Sequence, residues 1–197
     1  MEGVLSALAG YLLGSISTSI LISKAKYYVD IRRSGSGNAG ATNMARVYGL
    51  AAGLAALAGD MAKTALAGLA GWLLWGETGL AIACGAALIG HCWPLWHQFR
   101  GGKGVSVSAC IALLLDWRLF LMLLVFFAVV FLLSRRVSVC SLLSALVFPL
   151  FYWLTGHGWG PSMALCCLVT VLVIFSHRSN IDRLRKGEEP PFTLKKK

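Results

Sequence analysis

Three short stretches carry most of the polar chemistry of this chain, and each spaces its groups to suit a phosphate-bearing ligand. The first is Ser34-Gly35-Ser36-Gly37-Asn38-Ala39-Gly40-Ala41-Thr42-Asn43-Met44-Ala45-Arg46. Glycine admits positive φ and lets backbone approach a ligand closely. Successive N–H groups in such a turn form an anion-binding concavity. Ser36, Asn38, Thr42 and Asn43 can add side-chain hydrogen bonds. Arg32, Arg33 and Arg46 flank the loop with guanidinium forks that match phosphate oxygens. The second stretch is Phe99-Arg100-Gly101-Gly102-Lys103-Gly104. Glycines bracket Lys103, so backbone amides and one ammonium can face one anion. Val105 then opens a helix, whose N-terminus adds positive partial charge. The nucleotide pattern Gly-x-x-x-x-Gly-Lys-[Ser/Thr] is absent here, which argues against ATP binding of that kind.

The third stretch runs from His177 to Glu188. On a helix, His177 and Asn180 share a face, with Ile181 and Leu184 as apolar anchors. His177 is a candidate general base or phosphate ligand. It also forms His-x4-Asp with Asp182, but five helical steps put that pair on different faces. Acidic residues are few and scattered, so no metal and no other cofactor is expected.

The elements that must position these stretches are apolar. The chain has 197 residues, 57% hydrophobic and 13% charged, where soluble proteins carry roughly 25% charged residues. That balance predicts an all-α polytopic membrane protein, a single membrane-embedded domain over 1–197. Apolar runs at about 4–23, 50–75, 79–96, 137–154 and 162–176 are joined by 105–134, which Asp116-Trp117-Arg118 divides in two. The sum is seven transmembrane helices, although 105–115 is too short to span without tilt. The second run is rich in Ala and Gly, which suits close packing in lipid. It holds Asp60 and Lys63 at i,i+3, where they can pair. These two, and His91 near the end of the third run, are read as structural. Six cysteines (84, 92, 110, 140, 166, 167) lie inside apolar runs without a Cys-x-x-Cys pair, as small buried residues do. Glu2 and the lack of a basic lead-in speak against a cleavable signal peptide.

The net charge of +10 would suit nucleic acid or a membrane surface. Placement decides for the membrane, and no nucleic-acid partner is expected. With seven spans, every one of the 18 Lys and Arg residues except Lys63 and Arg118 falls on the side of the first loop. By the positive-inside rule that side is cytoplasmic and the N-terminus is outside. Positive-inside bias accounts for the cations there, but not for the glycines beside them.

The three stretches together resemble the bacterial acyl-phosphate:glycerol-3-phosphate acyltransferases, integral membrane enzymes of phospholipid synthesis. The pattern Gly-Ser-Gly-Asn-x-Gly-Ala-Thr-Asn-x-x-Arg is complete at Gly35 to Arg46. Gly-His-x-x-Pro with Phe-x-Gly-Gly-Lys-Gly-Val is met at Gly90 to Val105, followed by Ser106-Val107 where the family usually has Ala-Thr. His-Arg-x-Asn-Ile-x-Arg-Leu-x-x-Gly-x-Glu runs from His177 to Glu189. Asp60-x-x-Lys63 and Ser138-x-x-Ser141 look like lesser features of the same family. The resemblance implies transfer of a fatty acyl group from acyl phosphate to the 1-hydroxyl of glycerol 3-phosphate, giving lysophosphatidic acid and inorganic phosphate. It implies the bacterial cytoplasmic (inner) membrane, the lipid bilayer as partner, and a monomer. It makes Ser36, Arg46, His177 and Asn180 important to activity, and Glu189 structural. It assigns substrate binding to the loop of Gly35, Gly37, Asn38, Thr42 and Asn43, to Gly101, Gly102, Lys103 and Gly104, and to Ser138 and Ser141. An activated donor asks mainly for orientation and charge stabilisation. The base remains open between His177, the substrate's own phosphate, and Ser36 acting as a nucleophile instead. The main alternative is a membrane transporter for an organic phosphate, against which only Asp60 and Lys63 are ionisable within the spans. A membrane phosphatase is a further rival.

Overall fold

The structure, a computed structural model, describes residues 1–194; Lys195, Lys196 and Lys197, counted above on the cytoplasmic side, lie outside the described residues. Every regular element among the described residues is helical: α1 (Glu2–Gly14), α2 (Thr18–Tyr27), α3 (Ala41–Tyr48), α4 (Leu50–Cys92), α5 (Val105–Leu115), α6 (Trp117–Ser134), α7 (Val137–Leu154), α8 (Pro161–Ser176) and α9 (Arg178–Arg185), with 3-10 turns at Ile31–Arg33 and Leu95–His97. Local chemistry sets several ends. Asp116 caps α6 by accepting the Arg118 N–H at 2.7 Å, and Pro161 opens α8 at a position that needs no N–H. Among the described residues, four helical segments are long and apolar enough to cross a membrane, or five if the bent pair α8–α9 is one.

One expected span takes a different form. The first run is not one helix. It breaks between Gly14 and Thr18 into α1 and α2. The second and third runs are the two helical arms of α4, divided where the sequence divides them, at a tight turn of Trp75 and Gly76, the latter at φ +54°. Beyond that point the second arm doubles back on the first: a Cβ on Gly71 would stand 2.6 Å from Ala83 Cβ, and one on Gly68 would stand 3.1 Å from Cys84 Sγ. Glycine is therefore required at this crossing by approach, not by flexibility. α5 has 11 residues, about 16 Å of rise against about 30 Å of hydrocarbon.

The second arm of α4 is the centre of the bundle. Gly10 and Gly14 of α1 lie directly against the backbone of Ala83 and Ala87, and Gly90 against that of Tyr11. Small residues let these helices approach where lipid gives no hydrophobic drive for association. Around this arm Leu88, Val107, Ile111, Leu119, Cys166, Val169 and Val173 form the main core. A smaller core of Ile20, Ile31, Ala39, Met44, Ala52 and Ala56 lies under the first polar loop.

The α1–α2 break has a physical cause. It frees backbone carbonyls that a span would otherwise bond internally, and Lys63 takes them: its Nζ donates to Gly14 O at 2.8 Å and Ile16 O at 2.5 Å. The same ammonium lies 3.3 Å from Asp60 Oδ1 and 3.1 Å from His91 Nδ1. Ser106 Oγ of α5 donates to Asp60 Oδ2 at 2.9 Å. Asp60, Lys63, His91 and Ser106 are all buried. The i,i+3 pair is thus part of a larger cluster joining α1, both arms of α4, and α5.

Candidate active site

The first loop is built around Asn43, which is 1% exposed. Its Oδ1 accepts the Ser36 N–H at 2.9 Å, and its Nδ2 donates to Ser34 O at 2.9 Å and Asn38 O at 3.0 Å. Its amide is spent on the loop's own backbone, so Asn43 shapes the loop instead of presenting a hydrogen bond to a ligand. Gly35 sits at φ +61°, and a Cβ there would overlap Asn43 Oδ1. Ser36 and Gly37 are exposed, while Asn38, Thr42 and Arg46 are half-buried. Arg32 ties this loop to the second stretch: its Nη1 donates to His97 O at 2.8 Å and Arg100 O at 3.1 Å. Asp30 holds Arg32 in turn, at 2.8 Å from Nη2, and that guanidinium draws the Asp30 carboxyl down to about 2 against the opposing effect of burial. The sequence shows Arg32 as a flanking cation but not this bridge, because its acceptors lie over sixty residues away.

The second stretch corrects the expected amide cradle. The N–H of Gly101 donates to Cys92 O at 3.1 Å and that of Gly102 to His91 O at 3.0 Å. Both amides satisfy carbonyls left open at the end of α4 and are not free for an anion. A Cβ on Gly102 would overlap His91 Nε2 and stand 2.8 Å from Cε1, and one on Gly101 would stand 2.7 Å from Pro94 Cδ. These glycines let the loop lie flat on the end of α4. What remains to face an anion is the Lys103 ammonium and the N-terminus of α5, whose N-cap Gly104 is at φ +84°.

Lys103 reaches into the third stretch, where its Nζ donates to Asn180 Oδ1. Burial, with smaller contributions from Arg183 and Arg46 opposed by Glu189, brings Lys103 down to about 8. His177 stands at the corner between α8 and α9, which bend by 57°, and is 3% exposed. Its Nδ1 lies 2.8 Å from Val173 O, so Nδ1 carries the proton and Nε2 is the free acceptor. Burial first, and Lys103 with it, push the imidazole down to about 4, against the Val173 carbonyl and Glu189. Asn180 Nδ2 donates to Glu189 Oε1 at 2.7 Å and Arg183 Nε to Glu189 Oε2 at 2.7 Å. The hydrogen bonds and the Arg183 charge hold Glu189 ionised below its ordinary range although burial opposes it.

The structure therefore gathers Lys103, His177, Asn180, Arg183 and Glu189, with Arg46 close enough to act on Lys103. Ser138 is buried near Glu189. Ser141 Oγ is turned back onto Val137 O at 2.9 Å within α7. Among the described residues, the Ser36 hydroxyl makes no hydrogen bond to this cluster, and the residue is engaged through its N–H on Asn43. Arg183 is the member that sequence reasoning gave no role. It sits inside the third pattern, but its partner arrives only when the tail folds back. The cluster is cationic, with one neutral imidazole and one oriented amide. It can hold a phosphate and stabilise developing negative charge. Its one carboxylate is fully engaged, so it offers no acidic general base.

The family model described as glycerol-3-phosphate acyltransferase matches residues 4–187. A glycerol-3-phosphate acyltransferase of Ralstonia pickettii is 42% identical over 200 residues, which cover 98% of this chain and 96% of its own. One of Thermoanaerobacter pseudethanolicus is 38% identical over 191 residues, 96% and 95% of the two chains. Among solved structures, the glycerol 3-phosphate form of PlsY (YgiH), an integral membrane glycerol 3-phosphate acyltransferase, superposes with a TM-score of 0.91 at 30% identity, covering 98% of this chain and 96% of that one. The lysophosphatidic acid form of the same protein gives 0.88 at 28% identity.

Proposed function

Because the chain belongs to the glycerol-3-phosphate acyltransferase family, we propose that it transfers a fatty acyl group from acyl phosphate to the 1-hydroxyl of glycerol 3-phosphate. The observation that carries this reading is the meeting of Lys103, Arg46 and Arg183 with His177 and Asn180 from three distant stretches. The cations hold phosphate on a substrate that must bring its hydroxyl to the acyl carbonyl. The hydroxyl oxygen attacks that carbon, the bond to the phosphate oxygen breaks, and inorganic phosphate leaves with the electron pair. The hydroxyl proton has two acceptors, His177 Nε2 and a phosphate oxygen. An imidazole held near 4 is a weak base at neutral pH. The structure of the site therefore favours His177 as a group that orients phosphate, with the proton passing to substrate. Ser36 and the turn of Gly35, Gly37, Asn38 and Thr42 supply further ligands at the mouth.

The same reading extends to topology. The two arms of α4 are two crossings, α1–α2 is one, and α5, α6, α7 and α8 complete seven. The site then lies on the cytoplasmic side of a bacterial inner membrane, in a single-domain monomer, with the N-terminus outside, in line with the distribution of Lys and Arg. Reaction in detergent tests the activity. Purified protein given acyl phosphate and glycerol 3-phosphate should release lysophosphatidic acid and phosphate in equal amounts. An organic-phosphate transporter would need sealed vesicles and would make neither product. Cysteine labelling from outside tests the topology: an engineered site near His157 should react, and reaction near Gly37 would overturn the orientation.

A further inference from the structure

The chain after α9 has an architecture that the third sequence pattern does not require. Gly187 at φ +72° turns the chain back, and the Glu188 N–H closes the turn on Arg183 O at 2.8 Å. Pro190 and Pro191 then hold the backbone extended and remove two donors. The chain next crosses the α6–α7 corner. Arg135, at φ +55°, ends α6 and frees its carbonyl, which accepts the Phe192 N–H at 2.8 Å. The Phe192 ring meets Phe131 of α6 edge-on, with centroids 6.2 Å apart. Arg136 Nε donates to Glu189 O at 2.8 Å. Glu189 is therefore held through its backbone carbonyl, between the turn at Glu188 and the anchor at Phe192, while its carboxylate faces Asn180 and Arg183.

We propose that residues 187–194 form a strap, anchored by Phe192 and Arg136, that fixes the direction of the Asn180 amide and through it the position of the Lys103 ammonium. Phe192 and Arg136 are then positioning residues for the substrate phosphate, an inference that rests on the acyltransferase reading above. The hydrogen bonds have a direction. An ionised carboxylate only accepts, so Asn180 must turn its NH2 to Glu189 and its oxygen to Lys103. If Glu189 withdraws, the amide can rotate and offer its NH2 to Lys103, which has no acceptor. Phe192 and Arg136 lie outside the third pattern, and Phe192 lies beyond the family match at 187.

The test uses the full chain in detergent and follows two quantities: the Kd for glycerol 3-phosphate by calorimetry, and the pH dependence of kcat/KM. Phe192→Ala and Arg136→Gln should each weaken glycerol 3-phosphate about tenfold, roughly the loss of one charge-assisted hydrogen bond, with kcat within about twofold. Lys103 is faced by Arg183, Arg46, Glu189 and His177. Of these only Glu189 favours the ammonium in sign, so the alkaline limb should move to lower pH in both variants. Phe192→Tyr, which keeps the ring, should restore both quantities. An unchanged Kd and alkaline limb in Phe192→Ala, in protein that is monodisperse by size exclusion, would overturn the strap. So would a fall in kcat and thermal midpoint with Kd unmoved, since that is a purely structural role. Failure of wild-type protein to bind glycerol 3-phosphate would instead overturn the acyltransferase reading.

Discussion

Gly102→Ala should damage the site without touching substrate. An added Cβ would overlap His91 Nε2 and stand 2.8 Å from Cε1 and 3.0 Å from Cδ2, where ordinary contact begins at 3.4 Å. The imidazole cannot swing aside freely, because it is 5% exposed and its Nδ1 lies 3.1 Å from the Lys63 ammonium. The loop must give way, and Lys103 is the next residue. Overpacking of this kind costs about 1–3 kcal/mol. A displacement on the order of 1 Å in a positioning group costs about 10²-fold in rate, or about 2.7 kcal/mol of barrier, separately from that stability cost. We expect kcat/KM for glycerol 3-phosphate to fall about 10–100-fold at saturating acyl phosphate, with the acyl phosphate KM much less changed. His91→Ala removes the obstructing ring, so the double variant His91→Ala/Gly102→Ala should lose less than the two single losses combined. Fully additive losses, or wild-type kinetics in Gly102→Ala, would refute the contact.

Other predictions follow from the same geometry. His177 is neutral across the physiological range, so His177→Ala should raise the glycerol 3-phosphate KM and leave the pH–rate profile between pH 6 and 8 unchanged; a lost acid limb there would make it the base. Its folded value near 4 lies below the ordinary imidazole value of about 6.5. The unfolded chain therefore takes up this proton first, and the stability tied to it, full above about pH 6.5, is lost as pH falls toward 4; thermal midpoints in His177→Gln should flatten over that window. Lys63→Met should cost about 3–5 kcal/mol by leaving Asp60 unpaired in the interior. The swap Asp60→Lys/Lys63→Asp should not restore folded yield by size exclusion, because an aspartate at 63 cannot donate to the Gly14 and Ile16 carbonyls. Asn43→Ala should cost more in folded yield than Asn38→Ala, since three backbone groups of the first loop lose their partner.

What the chain's letters determine and what the fold decides divide along a physical line. Segment class is legible locally. Apolar runs must be covered by lipid or by one another, glycine- and asparagine-rich stretches cannot be, and the patterns at 35–46, 90–105 and 177–189 are long enough to mark the family. Pairing within one helical turn is legible too, and Asp60 and Lys63 do meet. Partner choice over long distances is not. Sequence shows that Gly101 and Gly102 can offer amides, and only packing shows those amides used by the end of α4. It shows that Asn43 can bind a ligand, and only the folded loop shows that amide consumed. The break in the first span follows from an ammonium 47 residues away along the chain. Arg32 finds its acceptors on another loop, and Glu189 is fixed by a tail crossing the α6–α7 corner. A residue type sets which hydrogen bonds are available. Which are made depends on the neighbours brought within about 3 Å by packing, and those come from anywhere in the chain.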